Sequence, residues 1–161
     1  MDRSLSGLAN ILTLNTRLFV NCLHDVTDEQ LRAQPSSGAN TLGLVACHIV
    51  DARCYLLKLI DVDVEDPFGG RLEGVQKVAD MTWYPSVAEL TAWWRDLAPK
   101  LDKRLEDLTP DDLAKPVDMP FPTDDHSMRG AIAFLAQHEA YHIGQLAYIR
   151  RCVGLAAMMY T

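Results

Sequence analysis

Four stretches of this chain space their apolar residues with a helical period, and none alternates them with the two-residue period of a strand. Helix-on-helix packing is then the way such a chain buries an apolar face. In residues 4–24, Leu5, Leu8, Leu12, Phe19 and Leu23 share one arc at about 100° per residue. Asn15 and Thr16 fall on the same arc, as hydrogen-bonded core residues or, for Asn15, as a support to a site. The second stretch, from residue 41 to 59 or 60, gathers Val45, Ile49, Ala52, Leu56, Leu59 and Ile60, with His48 inside the arc. The third, residues 86–108, gathers Leu90, Trp94, Leu97, Leu101 and Leu105, and Pro99 is expected to bend it. The fourth, residues 127–153, gathers Met128, Leu135, His138, His142, Leu146, Ile149 and Val153.

The punctuation agrees with these stretches. Thr27-Asp28-Glu29-Gln30 and Ser86-Val87-Ala88-Glu89 read as capping boxes. Thr109 precedes Pro110 as the cap of another short turn, Ser127 is a plausible N-cap, and Gly154 a natural stop. Pro35-Ser36-Ser37-Gly38 is a break. Residues 61–85 and the proline-rich 115–126 carry no clear period; a connection as long as 61–85 is often functional or hides a short element. The expected fold is all-α: one four-helix bundle spanning residues 1–161, with short extra helical turns. The 61–85 connection leaves room for a crossover.

Charge and composition narrow the function. The 22 acidic residues outnumber the 15 basic ones, for a net charge of -7, which argues against a surface that tracks phosphates. No apolar run reaches the roughly 18 residues that suggest a membrane span. Met1-Asp2-Arg3 leads into an amphipathic pattern, so no secretory leader is expected. Cys22, Cys47, Cys54 and Cys152 contain no Cys-x-x-Cys pair and read as reduced thiols. A cytoplasmic protein with a small-molecule partner is the expectation.

The chemistry concentrates in His138-Glu139-Ala140-Tyr141-His142-Ile143-Gly144-Gln145. Two histidines four apart lie one turn from each other on a helix, so both imidazoles can reach one metal ion. His48 is the best third ligand. Inward histidines need partners for their ring nitrogens, and either a metal or a polar network would provide them. His24, at a helix end, and His126, in a loop, read as surface residues. The string also matches the His-Glu-x-x-His of zinc proteases, but no histidine follows His142 to complete that site. Glu139-Ala140-Tyr141-His142 is the Glu-x-x-His unit of di-iron bundles, yet no second copy exists. Gln145, one turn beyond His142, reads either as a contact to a histidine or to water at the metal, or as a helix–helix hydrogen bond. Gly144 reads as a point of close helix packing.

Gly38-Ala39-Asn40-Thr41-Leu42-Gly43 leading into His48-Ile49-Val50-Asp51-Ala52, followed by His138-Glu139-Ala140-Tyr141-His142-Ile143-Gly144-Gln145-Leu146, resembles the DinB/YfiT-like superfamily of metalloenzymes. The resemblance covers nearly the whole chain, and His-x-x-x-His-x-Gly-Gln is its most specific part. It implies a four-helix bundle, commonly dimeric, with one divalent ion (zinc, nickel or iron) on three histidines. Those map onto His48, His138 and His142. It further implies the chemistry of transferases or isomerases that use a low-molecular-weight thiol, and the leading reading is a metal-dependent enzyme of hydrolase or thiol-transferase type. A non-catalytic metal-binding or ligand-sensing dimer is the alternative, and a structural dimer with a histidine network is the third reading. The apolar tail Leu155-Ala156-Ala157-Met158-Met159-Tyr160 is expected to pack on its own bundle or across a homodimer contact. Trp83, Tyr84, Met119 and Phe121 are expected to line a small apolar pocket beside the metal. Protons should compete for the imidazoles below about pH 6.5.

Overall fold

The computed structural model describes residues 5–118 and 121–160. Within them the chain forms α1 (Ser6–Leu23), α2 (Asp28–Arg32), α3 (Leu42–Leu59), α4 (Val87–Asp107), α5 (Pro110–Ala114) and α6 (Met128–Cys152). The caps are those the sequence announces. Thr27 Oγ1 accepts from Gln30 N at 3.1 Å while Gln30 Oε1 accepts from Thr27 N at 3.1 Å. Ser86 and Glu89 close the same box at α4, with bonds of 3.2 and 2.7 Å. Thr41 and Ser127 cap α3 and α6. The entry to α6 requires glycine at position 130, because a Cβ there would sit 1.9 Å from the Asp125 carbonyl oxygen. Residues 61–85 hold turns and one short 3-10 helix, Val78–Asp80.

The four long helices pack as a ring: α1 against α6 and α4, and α3 against the same two. Consecutive long helices α1 and α3 therefore stand across a diagonal, as do α4 and α6. The crossings are made by the segments carrying α2 and α5. Residues 61–85, where the sequence allowed a crossover, instead join the neighbours α3 and α4. Helix α4 runs unbroken through Pro99.

The core is built from Leu12, Phe19, Leu42, Ile49, Leu56, Trp94, Leu101 and Leu146, all fully buried. Phe19 and Trp94 stack with ring centroids 4.3 Å apart. At its centre lies an ion pair. Arg53 Nε and Nη2 donate to Glu139 Oε1 and Oε2 at 2.5 and 2.7 Å, and the two side chains are 0% and 1% exposed. Asn15 Nδ2 donates to the Ala136 carbonyl at 3.0 Å and to Glu139 Oε2 at 3.4 Å. Asn15 is therefore a hydrogen-bonded core residue.

Glu139 in the core fixes how α6 is turned. Its buried edge is Leu135, Ala136, Glu139, Ile143, Leu146 and Ile149. The expectation that His138 and His142 project into the core is corrected: both sit on the flank of that edge, half-buried, and His48 is exposed. The histidines look into a groove between α3 and α6. Leu155 and Met158 of the tail pack against the chain's own core. Arg150 holds that end down, donating to the carbonyls of Cys22, His24 and Ala156. No described helix is long and apolar enough to cross a membrane.

Candidate metal centre

His48 comes from α3, His138 and His142 from adjacent turns of α6. Cys47 and Ile49, on either side of His48, are buried, which turns the imidazole itself out into the groove. His138 Nε2 lies 3.1 Å from His48 Nε2 and 3.1 Å from His142 Nε2. One ring nitrogen from each residue falls within 4.8 Å of the others. The two 3.1 Å separations are those of neighbouring ligands around one ion bound at about 2.0–2.1 Å. Three neutral imidazoles cannot all donate to one another, so a shared cation resolves what hydrogen bonding alone leaves unbalanced. His138 Nδ1 is buried without a partner. His24 lies beside Asp25 at the end of α1 and His126 in the loop before α6, both exposed.

His142 is oriented from behind. Its Nδ1 lies 2.7 Å from Gln145 Oε1, an acceptor, so Nδ1 carries the proton and the Nε2 lone pair faces the cluster. Gln145 Nε2 in turn donates to the Tyr141 hydroxyl at 3.3 Å, and the Tyr141 ring stands edge-on to His142 at 5.0 Å. Partial burial, then the neighbouring His142, lower the pKa of His48. Burial, then His142 and His48, lower His138 to about 4. These two rings stay neutral below the ordinary histidine range, so protons compete for them less than the sequence suggests.

Two cavities meet at the histidines. One, of about 410 Å³, is walled by Leu44, Val45, Leu72, Val75 and Gln76 beside His48 and His142. The other, of about 400 Å³, is walled by Tyr55, Phe121 and Phe134 beside His48 and His138, with Lys58 among its lining residues. Asp51, one turn beyond His48, lines both. Burial, then Asp66, push its carboxyl up, with Lys58 pulling the other way.

The pocket expected from sequence is partly redrawn. Phe121 is in place, stacked on Phe134 at 5.0 Å, and Phe134 lies 5.9 Å from His138. Met119 lies outside the described residues. Trp83 and Tyr84 line neither cavity: Arg71 covers the Trp83 ring, and the Tyr84 hydroxyl meets Thr41 Oγ1 at 3.3 Å. Residues 61–85 reach the histidines through Leu72, Val75 and Gln76 instead. Sequence reasoning missed these, as well as Asp51; its spacing three after His48 was the available signal for the last. Gly144 does not serve close packing, since a Cβ there would meet nothing within 4 Å.

A family profile described as the DinB superfamily matches residues 11–146. The crystal structure of a DinB-like protein from Bacillus cereus ATCC 10987 aligns at a TM-score of 0.73 and 24% identity, over 96% of each chain. No curated protein matches the sequence.

Proposed function

The chain belongs to the DinB superfamily, and we propose that it is a divalent-metal-dependent enzyme with one zinc, nickel or iron ion on His48, His138 and His142. The observation that carries this reading is the convergence of the three ring nitrogens, with His142 fixed in the tautomer a ligand needs. An ion held there supplies a Lewis acid and a site that keeps a sulfur nucleophile deprotonated near neutral pH.

The chain's own groups do the rest. Burial pushes the thiol of Cys54, beside the second cavity, up to about 11, and those of Cys22 and Cys47 up to about 12. No buried cysteine can therefore act as the nucleophile near neutral pH. The nucleophile comes from solution, as water or as a low-molecular-weight thiol. Two cavities sharing His48 and Asp51 suit a reaction between two bound molecules. That favours thiol-dependent group transfer over hydrolysis. Asp51, with its carboxyl pushed up, is placed to hold or accept a proton at either cavity. Tyr55, Phe121 and Phe134 give the second an apolar wall.

The protein acts in the cytoplasm as a homodimer in this reading. The free thiols fit a reducing compartment. Tyr141 and Tyr148, 57% and 71% exposed on one stripe of α6, offer a surface for the dimer contact. A monomeric mass in light scattering at micromolar concentration would count against the dimer. A non-catalytic metal-binding or ligand-sensing dimer is the competing reading. Zinc-, nickel- and iron-loaded protein should be incubated with small thiols and small electrophiles and the thiol adduct followed. Adduct formation that stops on chelation and returns with metal supports the enzyme. Metal bound with no turnover of any pair supports the sensor.

A further inference from the structure

Resting on the reading that the three histidines hold a metal, we infer that Arg53 and Glu139 are positioning residues for that centre. Their buried two-pronged ion pair sets the register of α3 against α6, and with it the distance of His48 from His138 and His142.

Arg53 lies five residues after His48 on α3, and Glu139 directly follows His138 on α6. The pair is built into every long helix. Thr16 Oγ1 of α1 accepts from Arg53 Nη1 at 3.2 Å, and Asn15 supports Glu139. The Arg53 guanidinium lies 4.1 Å from the centroid of Trp94 of α4, whose Nε1 donates to the Thr16 carbonyl at 2.9 Å. Every polar end of the pair is thus answered.

Stability alone does not call for such a pair, because well-packed apolar residues of similar volume do as well or better in a core. Apolar contacts are non-directional, and helices joined only by them can slide. A guanidinium–carboxylate fork closes in one geometry. The histidine cluster needs that restriction, since a metal centre tolerates only about 0.5 Å of misplacement. His138 needs it most. Its Nδ1 has no partner, so no hydrogen bond from behind fixes its ring as Gln145 fixes His142. Its place is set by the backbone that Glu139 ties to α3.

The test uses the full-length double variant Arg53→Met/Glu139→Leu, metal-free and then titrated with zinc against a chromophoric chelator. The expected protein is folded, with a Tm near or above that of the wild type. Its zinc Kd is raised roughly 10- to 100-fold. In its zinc-free crystal structure the His48–His138 Nε2 separation moves from 3.1 Å by about 1 Å or more, the looseness that disables designed sites. Leu105→Ala, in the core of α4, serves as control: it should lower Tm and leave both readouts in place. If the double variant does not fold, Arg53→Lys keeps the charge, loses the fork, and is read by the same two measurements. Unchanged histidine distances overturn the inference, as does unchanged affinity in a protein whose wild type binds zinc. A wild type that binds no zinc overturns the metal reading instead, and the distances alone then decide the register.

Discussion

Replacing His138 with Gln should make the metal-free protein less sensitive to acid. Burial, then His142 and His48, lower the His138 pKa from 6.5 to about 4. Above pH 6.5 the ring is neutral in the folded and unfolded chains alike and contributes nothing to the pH dependence. Between 6.5 and about 4 the unfolded chain takes up a proton that the folded protein refuses, so stability is lost as the pH falls. At about 1.36 kcal/mol per pH unit the ceiling on that loss is about 3.4 kcal/mol. The ring is only half-buried, and solvent screening reduces the figure to roughly 1–2 kcal/mol. Urea unfolding of wild type and His138→Gln, both with chelator, at pH 7.5 and 4.5 measures it. Carboxylates elsewhere titrate in both proteins and cancel. The variant should gain roughly 1–2 kcal/mol on the wild type between the two pH values. An equal pH dependence, or a relative gain by the wild type in acid, would refute the reasoning.

Three further outcomes follow from the same geometry. Gln145→Ala frees the His142 ring and its tautomer, and zinc affinity in a chelator competition should fall roughly 10- to 100-fold with the helical content unchanged. Glu139→Leu alone strands the Arg53 guanidinium in the core and should cost roughly 3–5 kcal/mol in urea unfolding at pH 7.5; a loss below about 1 kcal/mol, the scale of an exposed ion pair, would contradict the burial argument. With a thiol reagent at pH 7.5, exposed Cys152 should react at once, while Cys22, Cys47 and Cys54 should react only on unfolding.

The helices were legible because their ends carry local chemistry: Thr27 with Gln30, Ser86 with Glu89, and Ser127 each satisfy backbone donors within a few residues. His138 and His142 were legible from their spacing, while His48 rested on an inward arc that the structure corrects and on the family resemblance. The direction of the histidines was not legible. Helix α3 is buried on nearly every side, including Leu42 to Cys47, Ile49, Val50 and Ala52 to Cys54, so its apolar arc points nowhere in particular. On α6 the arc was turned too far toward the histidines because Glu139 counts as polar in a sequence. Its place in the core depends on Arg53, 86 residues away. Arg53 shares its helix with Asp51 and Lys58, so its charge alone did not mark it as the buried partner. The diagonal steps from α1 to α3 and from α4 to α6 depend on packing between distant segments, which one chain read locally does not record.

Anomalous diffraction at the zinc edge, on crystals of zinc-loaded protein, tests the central claim most directly. The account predicts one peak bonded to ring nitrogens of His48, His138 and His142 at about 2.0–2.2 Å, and no peak there in His48→Ala/His138→Ala. A peak at His24, His126 or the cysteines with the three histidines bare, or a peak that survives the double substitution, would contradict it.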